Sequence, residues 1–171
     1  TPNSFFEGVN LEGESFGEEE IVSILTNPKV NVLLVDDSAE DQFLFRRALE
    51  ESEIDVNIFC IHDVDEFLKI IKTRSSITKI PLPDVIFLDL NMPKMDGNTL
   101  LKSIKQNREL QYIPVIILTG SIGCKDVIDA YKNYASGYIK KSFEYEKFKE
   151  NLKIALSYWT KAVILPSQAL T

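Results

Sequence analysis

Four apolar residues, Val85-Ile86-Phe87-Leu88, run without a break into Asp89. Pro83-Asp84 opens the run, and Met92-Pro93 followed by Met95-Asp96-Gly97 closes it. A short apolar run with turn residues on both sides predicts a fully buried strand. Asp89 then stands at the carboxyl end of that strand, where open parallel sheets place their ligands. A second run, Val32-Leu33-Leu34-Val35, leads in the same way into Asp36-Asp37. Two buried strands that each end in acid bring three carboxylates to one rim. Carboxylates that close together do not all stay ionised unless a cation sits among them.

The rest of the chain repeats this design. Val30–Val35 is expected to be a strand, and Ser38-Ala39-Glu40-Asp41 caps a helix to about Glu51, with Phe43, Leu44, Ala48 and Leu49 inward. Val56–Ile61 is a second strand, and Val64, Phe67, Leu68 and Ile71 mark a second helix. A polar stretch, Thr73–Lys79, leads to the Val85 strand. Leu100, Leu101 and Ile104 mark a third helix ending near Asn107, and Pro114–Thr119 is a strand with proline tolerated at its start. Val127, Ile128, Tyr131 and Tyr134 mark a fourth helix, with Tyr131, Tyr134 and Phe143 read as packing residues. Gly137-Tyr138-Ile139 is a short strand. Ser142 caps a last helix with apolar positions Phe148, Leu152, Ala155, Trp159 and Val163. Five β–α units in strict alternation predict an α/β fold, a doubly wound five-stranded parallel sheet.

Charge divides the chain. Residues 1–28 hold six Glu and no Lys or Arg, which leaves 20 acids against 19 bases in the remainder. We therefore expect an acidic extension over 1–28, one domain over 29–166, and a short tail over 167–171. Within 1–28, residues 1–14 are polar and expected to be mobile, and Ser15–Glu18 starts a short helix stopped by Asn27-Pro28. No basic patch suggests nucleic acid. No apolar run approaches the roughly 18 residues of a membrane span, and the start lacks the pattern of a signal peptide. Cys60 and Cys124 show no C-x-x-C spacing, which fits two thiols in a reducing compartment. A cytoplasmic protein is expected.

The polar residues that close the strands suggest one chemistry. Asp36, Asp37 and Asp89 form an oxygen-rich site of the kind that suits Mg2+, which takes one or two carboxylates and keeps several waters. Such a site serves phosphoryl transfer, in which positioning and charge neutralisation do most of the work. A carboxylate can itself be the nucleophile. Thr119 ends its strand with a hydroxyl donor, and Lys141 follows the last strand with a point charge. Taken singly, Asp36-Asp37 also reads as a helix N-terminal acid pair, Thr119 as an ordinary strand residue, and Lys141 as a solvated charge. Their conjunction at the ends of successive strands is what carries weight.

The chain from about Lys29 to Leu156 resembles a receiver domain of two-component response regulators. The likeness rests on Val35-Asp36-Asp37-Ser38, on Leu88-Asp89-Leu90-Asn91-Met92-Pro93-Lys94-Met95-Asp96-Gly97, on Pro114-Val115-Ile116-Ile117-Leu118-Thr119-Gly120, and on Gly137-Tyr138-Ile139-Lys140-Lys141-Ser142-Phe143. The resemblance implies the flavodoxin-like (βα)5 receiver fold and a switch phosphorylated by a sensor histidine kinase, with Asp89 as phosphoacceptor. It implies Mg2+ on Asp37, Asp89 and the carbonyl of Asn91, with Asp36 acting through water. It also implies Lys141 and Thr119 on the phosphoryl group, and Tyr138 swinging inward behind them. The ending Tyr158-Trp159-Thr160-Lys161-Ala162-Val163-Ile164-Leu165-Pro166 is similar to stand-alone regulators that partner phytochrome-type kinases.

The sequence departs from the family in two places. Ser142 stands where the family usually has a proline preceded by a cis bond. A cis bond before a non-proline costs about 2.5–4 kcal/mol, so that loop is expected to be trans or strained. The adjacent Lys140 competes with Lys141 for the role of site cation; spacing from Tyr138 and Phe143 favours Lys141. The stretch over 73–83 is longer and more polar than a minimal receiver needs.

A helix from Ser142 to Ile164 would exceed ~30 Å at 1.5 Å per residue. Its apolar spacing of four and three reads either as the inner face of the helix or as a homodimer seam, and its length past Leu156 favours the dimer. Too few residues follow for a DNA-binding or enzymatic output module. An aspartyl-nucleophile phosphohydrolase is disfavoured, because the place two residues after the nucleophile holds Asn91 rather than an acid. A pseudo-receiver scaffold is the other alternative, which the Ser142 replacement keeps open. His62 reads as a surface or capping residue.

Overall fold

The computed structural model describes residues 7–9, 29–65, 67–68, 82–120 and 122–169. The expected helix near Ile21, the end of the second helix at Ile71 and the polar stretch over 73–79 lie outside them. The strands are β1 (Glu7–Val9), β2 (Val30–Val35), β3 (Val56–Ile61), β4 (Val85–Leu88), β5 (Asn91–Met92), β6 (Met95–Asp96), β7 (Val115–Thr119) and β8 (Gly137–Lys140). The main helices are α1 (Ala39–Glu51), α2 (Gly97–Gln106), α3 (Cys124–Lys132) and α4 (Tyr145–Ser157). Residues 64–65 and 67–68 are also helical.

The main sheet has the order β1-β3-β2-β4-β7-β8, and β5 and β6 form a separate two-stranded ribbon. The five expected strands are parallel to one another. The sixth was not expected: β1, within the stretch read as mobile, pairs antiparallel with β3 through Glu7–Cys60, Gly8–Phe59 and Val9–Ile58. It covers the backbone edge of a strand whose six residues carry no charge, an edge that would otherwise be open to another chain.

Side chains alternate across a strand, so each parallel strand feeds two cores. Leu33, Val35, Ile86, Leu88 and Ile117 pack beneath α2, which buries Leu100, Leu101 and Ile104. Val32, Leu34, Val85, Phe87 and Leu118 face α1 and α4 on the other side. Phe45 of α1 meets Phe87 edge-on, with ring centroids 5.2 Å apart. Because β2, β3, β4, β7 and β8 run parallel, their carboxyl ends share one rim.

Helix faces departed from expectation where neighbouring positions competed. In α1 the buried residues are Gln42, Phe45, Ala48 and Leu49, and Phe43 points to solvent. The stripe set by Phe45 against Phe87 runs through 42, 45 and 49, and Phe43 lies about 100° round the helix from Gln42 and about 160° from Phe45. In α3 only Ala130 is buried, while Ile128, Tyr131 and the nearby Tyr134 are exposed. The short helix meets the sheet through its smallest residue. Phe143 is fully exposed as well, so the packing role expected for these aromatics is not what they do.

The last helix is shorter than its pattern suggests. Glu144 is its N-cap, and Ser142 Oγ accepts the backbone N–H of Glu144 at 3.1 Å. After Ser157 the chain is π-helical over Tyr158–Ala162, and Val163 is extended. Pro166 explains the break: it disfavours helix at Leu165 and would clash with the carbonyl four residues earlier. The chain folds back, Leu165 is buried in the core that α1 and α4 share, and Ser167 Oγ donates to Asp84 at the entry to β4. Phe148, Leu152, Trp159 and Val163 pack onto this chain's own core. The seam-like spacing is therefore used as the inner face of the helix.

Candidate functional site

Register carries the expected residues together. Val35 lies beside Leu88, Leu88 beside Ile117, and Thr119 beside Lys140. The next residues in line are Asp36, Asp89 and Lys141. One ligand oxygen from each of Asp36, Asp37 and Asp89 falls within 4.8 Å of the others. Asp36 and Asp89 are buried and Asp37 is exposed. The Asp36 carboxylate is fixed at both oxygens, by the N–H of Ser38 at 2.9 Å and by Lys141 at 2.7 Å.

Lys141 is the organising cation. Its Nζ donates to Asp36 at 2.7 Å, to Asp41 at 2.7 Å and to Asp89 at 3.2 Å. Its own N–H donates to the carbonyl of Thr119 at 2.8 Å, which ties the loop to β7. Lys140 is exposed on β8, and of the two lysines it is Lys141 whose ammonium reaches the acids. No peptide bond is cis among the described residues, and the Lys141–Ser142 bond is trans.

The electrostatics are those of a crowded acid site. Burial pushes the Asp36 carboxyl above its usual range, and Lys141 only partly opposes this. Burial also works against the Lys141 ammonium, but Asp36, Asp41 and Asp89 outweigh it and hold its pKa above the ordinary lysine value. The cluster thus gathers more negative charge than one lysine offsets. Its donors are hard oxygens with one acid open to water, which fits a divalent cation that retains part of its hydration.

The remaining expected residues take definite places. The backbone N–H of Asn91 donates to Asp89 at 3.1 Å, and its side-chain amide donates to Thr119 Oγ1 at 3.0 Å. Thr119 is fully buried at the end of β7. Tyr138 is half-buried on β8 against the α2-side core. Two residues were missed. Asp41 reads as a helix-cap acid in sequence but reaches Lys141. Gln42 carries no sequence signal of its own, because only packing shows that the buried stripe of α1 runs through it.

The comparisons with known proteins decide the family. The family model for the response regulator receiver domain matches residues 32–153. The chain belongs to the response regulator receiver family. This receiver is 34% identical to response regulator Rcp1 of a Synechocystis species over 142 residues, spanning 83% of this chain and 97% of Rcp1. It superposes on the Mn2+-bound form of Rcp1 with a TM-score of 0.72 at 35% identity, covering 81% of this chain and 99% of that one. The phosphorylated cyanobacterial phytochrome response regulator RcpA gives a TM-score of 0.73 at 30% identity, with 81% and 99% coverage. The receiver therefore belongs to two-component signalling, in a family of signalling switches. No helix among the described residues is long and apolar enough to cross a membrane.

Proposed function

We propose that this receiver is a single-domain response regulator that takes a phosphoryl group onto Asp89 from a phosphohistidine of a sensor histidine kinase. The observation that carries this reading is the gathering of Asp36, Asp37 and Asp89 within 4.8 Å, with Lys141 bound to two of them. Mg2+ would be held by Asp37, Asp89 and the carbonyl of Asn91, with Asp36 acting through water. When bound, it supplies the positive charge that phosphoryl transfer needs. A carboxylate oxygen of Asp89 attacks phosphorus, and the P–O bond forms as the P–N bond breaks. The imidazole leaves with the electron pair of the broken bond and takes a proton from solvent. The product is an acyl phosphate on Asp89.

Lys141 then exchanges its contact with Asp89 for one with the phosphoryl oxygens, and the Thr119 hydroxyl donates to the same group. Tyr138, half-buried beside this strand, follows Thr119 inward and carries the change to the surface. The domain catalyses only its own phosphorylation and dephosphorylation. An amide rather than an acid at Asn91 disfavours a general phosphohydrolase. The likeness to RcpA supports a phytochrome-type kinase as donor and a cytoplasmic setting. Exposed Ile154, Tyr158 and Ile164 offer a face for self-association along the last helix and its continuation.

Incubation with acetyl phosphate and Mg2+, followed by intact-mass measurement, tests the reading. The wild type gains one phosphoryl group, and Asp89→Asn gains none. An unmodified wild type, or a modified Asp89→Asn, overturns it.

A further inference from the structure

Behind the acid pair lies a buried polar group that the phosphorylation chemistry does not use. Gln42 of α1 is 1% exposed on a stripe otherwise made of Phe45, Ala48 and Leu49. A buried amide is costly unless its hydrogen bonds are made. Gln42 Nε2 donates to the carbonyl oxygen of Asp36 at 2.6 Å and meets His62 Nδ1 at 2.9 Å. Since the amide nitrogen is only a donor, Nδ1 is the acceptor, and the His62 proton resides on Nε2.

The carbonyl that Gln42 grips belongs to the peptide joining Asp36 to Asp37. Rotation of that peptide re-aims both carboxylates together. The Asp36 N–H donates to the carbonyl of Ile61 at 3.3 Å, a long bond on the other side of the residue. His62, the residue after Ile61, anchors the amide from β3. The bonds thus run from β3 through His62 to α1, and from α1 to the end of β2.

We infer that Gln42 is a positioning residue for the metal-binding acids, held in its productive orientation by His62. The inference rests on the reading of Asp37 as a Mg2+ ligand, with Asp36 acting through water. It concerns the orientation of the acids, so its signature is in metal affinity rather than in the chemical step. Losing the bond leaves a buried acceptor without its amide donor, which predicts a Mg2+ dissociation constant weaker by about tenfold.

The test uses Gln42→Leu, which keeps the volume and removes the amide, alongside His62→Leu and the double variant. Mg2+ binding is measured by titration calorimetry on the full chain, and the acetyl phosphate reaction is followed across Mg2+ concentrations. In Gln42→Leu the half-saturating Mg2+ concentration rises about tenfold, while the rate at saturating Mg2+ stays within about twofold of wild type. His62→Leu shows a smaller rise, and the double variant is no worse than Gln42→Leu, because His62 reaches the acids through the amide. A lowered Tm with unchanged Mg2+ affinity in Gln42→Leu overturns the inference and leaves a purely structural amide. Additive effects in the double variant overturn the assigned order. A wild type that binds no Mg2+ defeats the underlying reading of the acids instead, so the two failures are told apart.

Discussion

Lys141→Met tests the electrostatic account of the site most directly. It removes an ammonium that three carboxylates share, while keeping an unbranched chain that still reaches into the cluster. In the wild type Nζ lies 2.7 Å from Asp36, 2.7 Å from Asp41 and 3.2 Å from Asp89. Taking one partner from a buried ion pair costs about 3–5 kcal/mol. Two features place this case at the lower end. The Asp41 side chain is 37% exposed, so water takes over part of its solvation. Asp36, already pushed upward by burial, can bind a proton when the lysine is gone. A loss of about 3 kcal/mol lowers Tm by roughly 6–12 °C in a chain of this size.

Thermal unfolding followed by circular dichroism near neutral pH, with a chelator present, measures this loss. The same melt with saturating Mg2+ gives the sharper result. A divalent ion supplies charge to the same acids, so the difference between variant and wild type narrows to less than about half. Equal stability in chelator refutes the view that Lys141 offsets the buried charge. A difference that Mg2+ leaves unchanged refutes the view that lysine and metal answer to the same carboxylates.

Two further outcomes follow from local geometry. A Cβ added at Gly97 would lie 2.5 Å from Leu90 Cα and 2.7 Å from the Asp89 carbonyl oxygen, both backbone atoms. Gly97→Ala should therefore destabilise by about 1–3 kcal/mol in urea unfolding and slow phosphorylation by shifting the Asp89 backbone. At the seam between α1 and α4, hydrogen bonds from Lys149 and Arg47 hold the Glu51 carboxyl down at about 2. A depressed carboxylate contributes stability above its unfolded value near 4.5 and loses it as pH falls toward the folded one. Asp36, raised by burial, has the opposite sign, because acid relieves the cost of its buried charge. Glu51→Gln should thus flatten the fall of the urea midpoint between pH 4.5 and about 2; a wild-type slope in that variant removes Glu51 as its source.

Much of this protein is local, and the sequence alone determined it. Val32–Val35 and Val85–Leu88 are apolar on both faces because parallel strands between two helical layers have no solvent side. That pattern fixed the strands, their alternation with helices and the rim where Asp36, Asp37 and Asp89 meet. The seven residues singled out at that rim differ in what the fold does with them. Asp36, Asp37, Asp89 and Lys141 share one cluster, Asn91 and Thr119 pair beside it, and Tyr138 lies half-buried on the neighbouring strand.

Tertiary structure decided what depends on rotation and return. Periodicity finds an apolar stripe but does not orient it when Phe43 and Phe45, or Ile128 and Ala130, compete; packing against Phe87 and β8 made those choices. Lys140 and Lys141 are adjacent in sequence, and only the register of β8 on β7 turns one into the acid cluster and the other to water. Asp41 and Gln42 joined the site because the cap at Ser38 aims the first turn of α1 at Lys141 and Asp36. The edge strand at Glu7–Val9 depends on β3 about fifty positions further on, and the returning tail is tied through Ser167 to Asp84, 83 positions away. Contacts of that range leave no periodic trace in the segment that makes them, because the partner surface exists only once the sheet has formed.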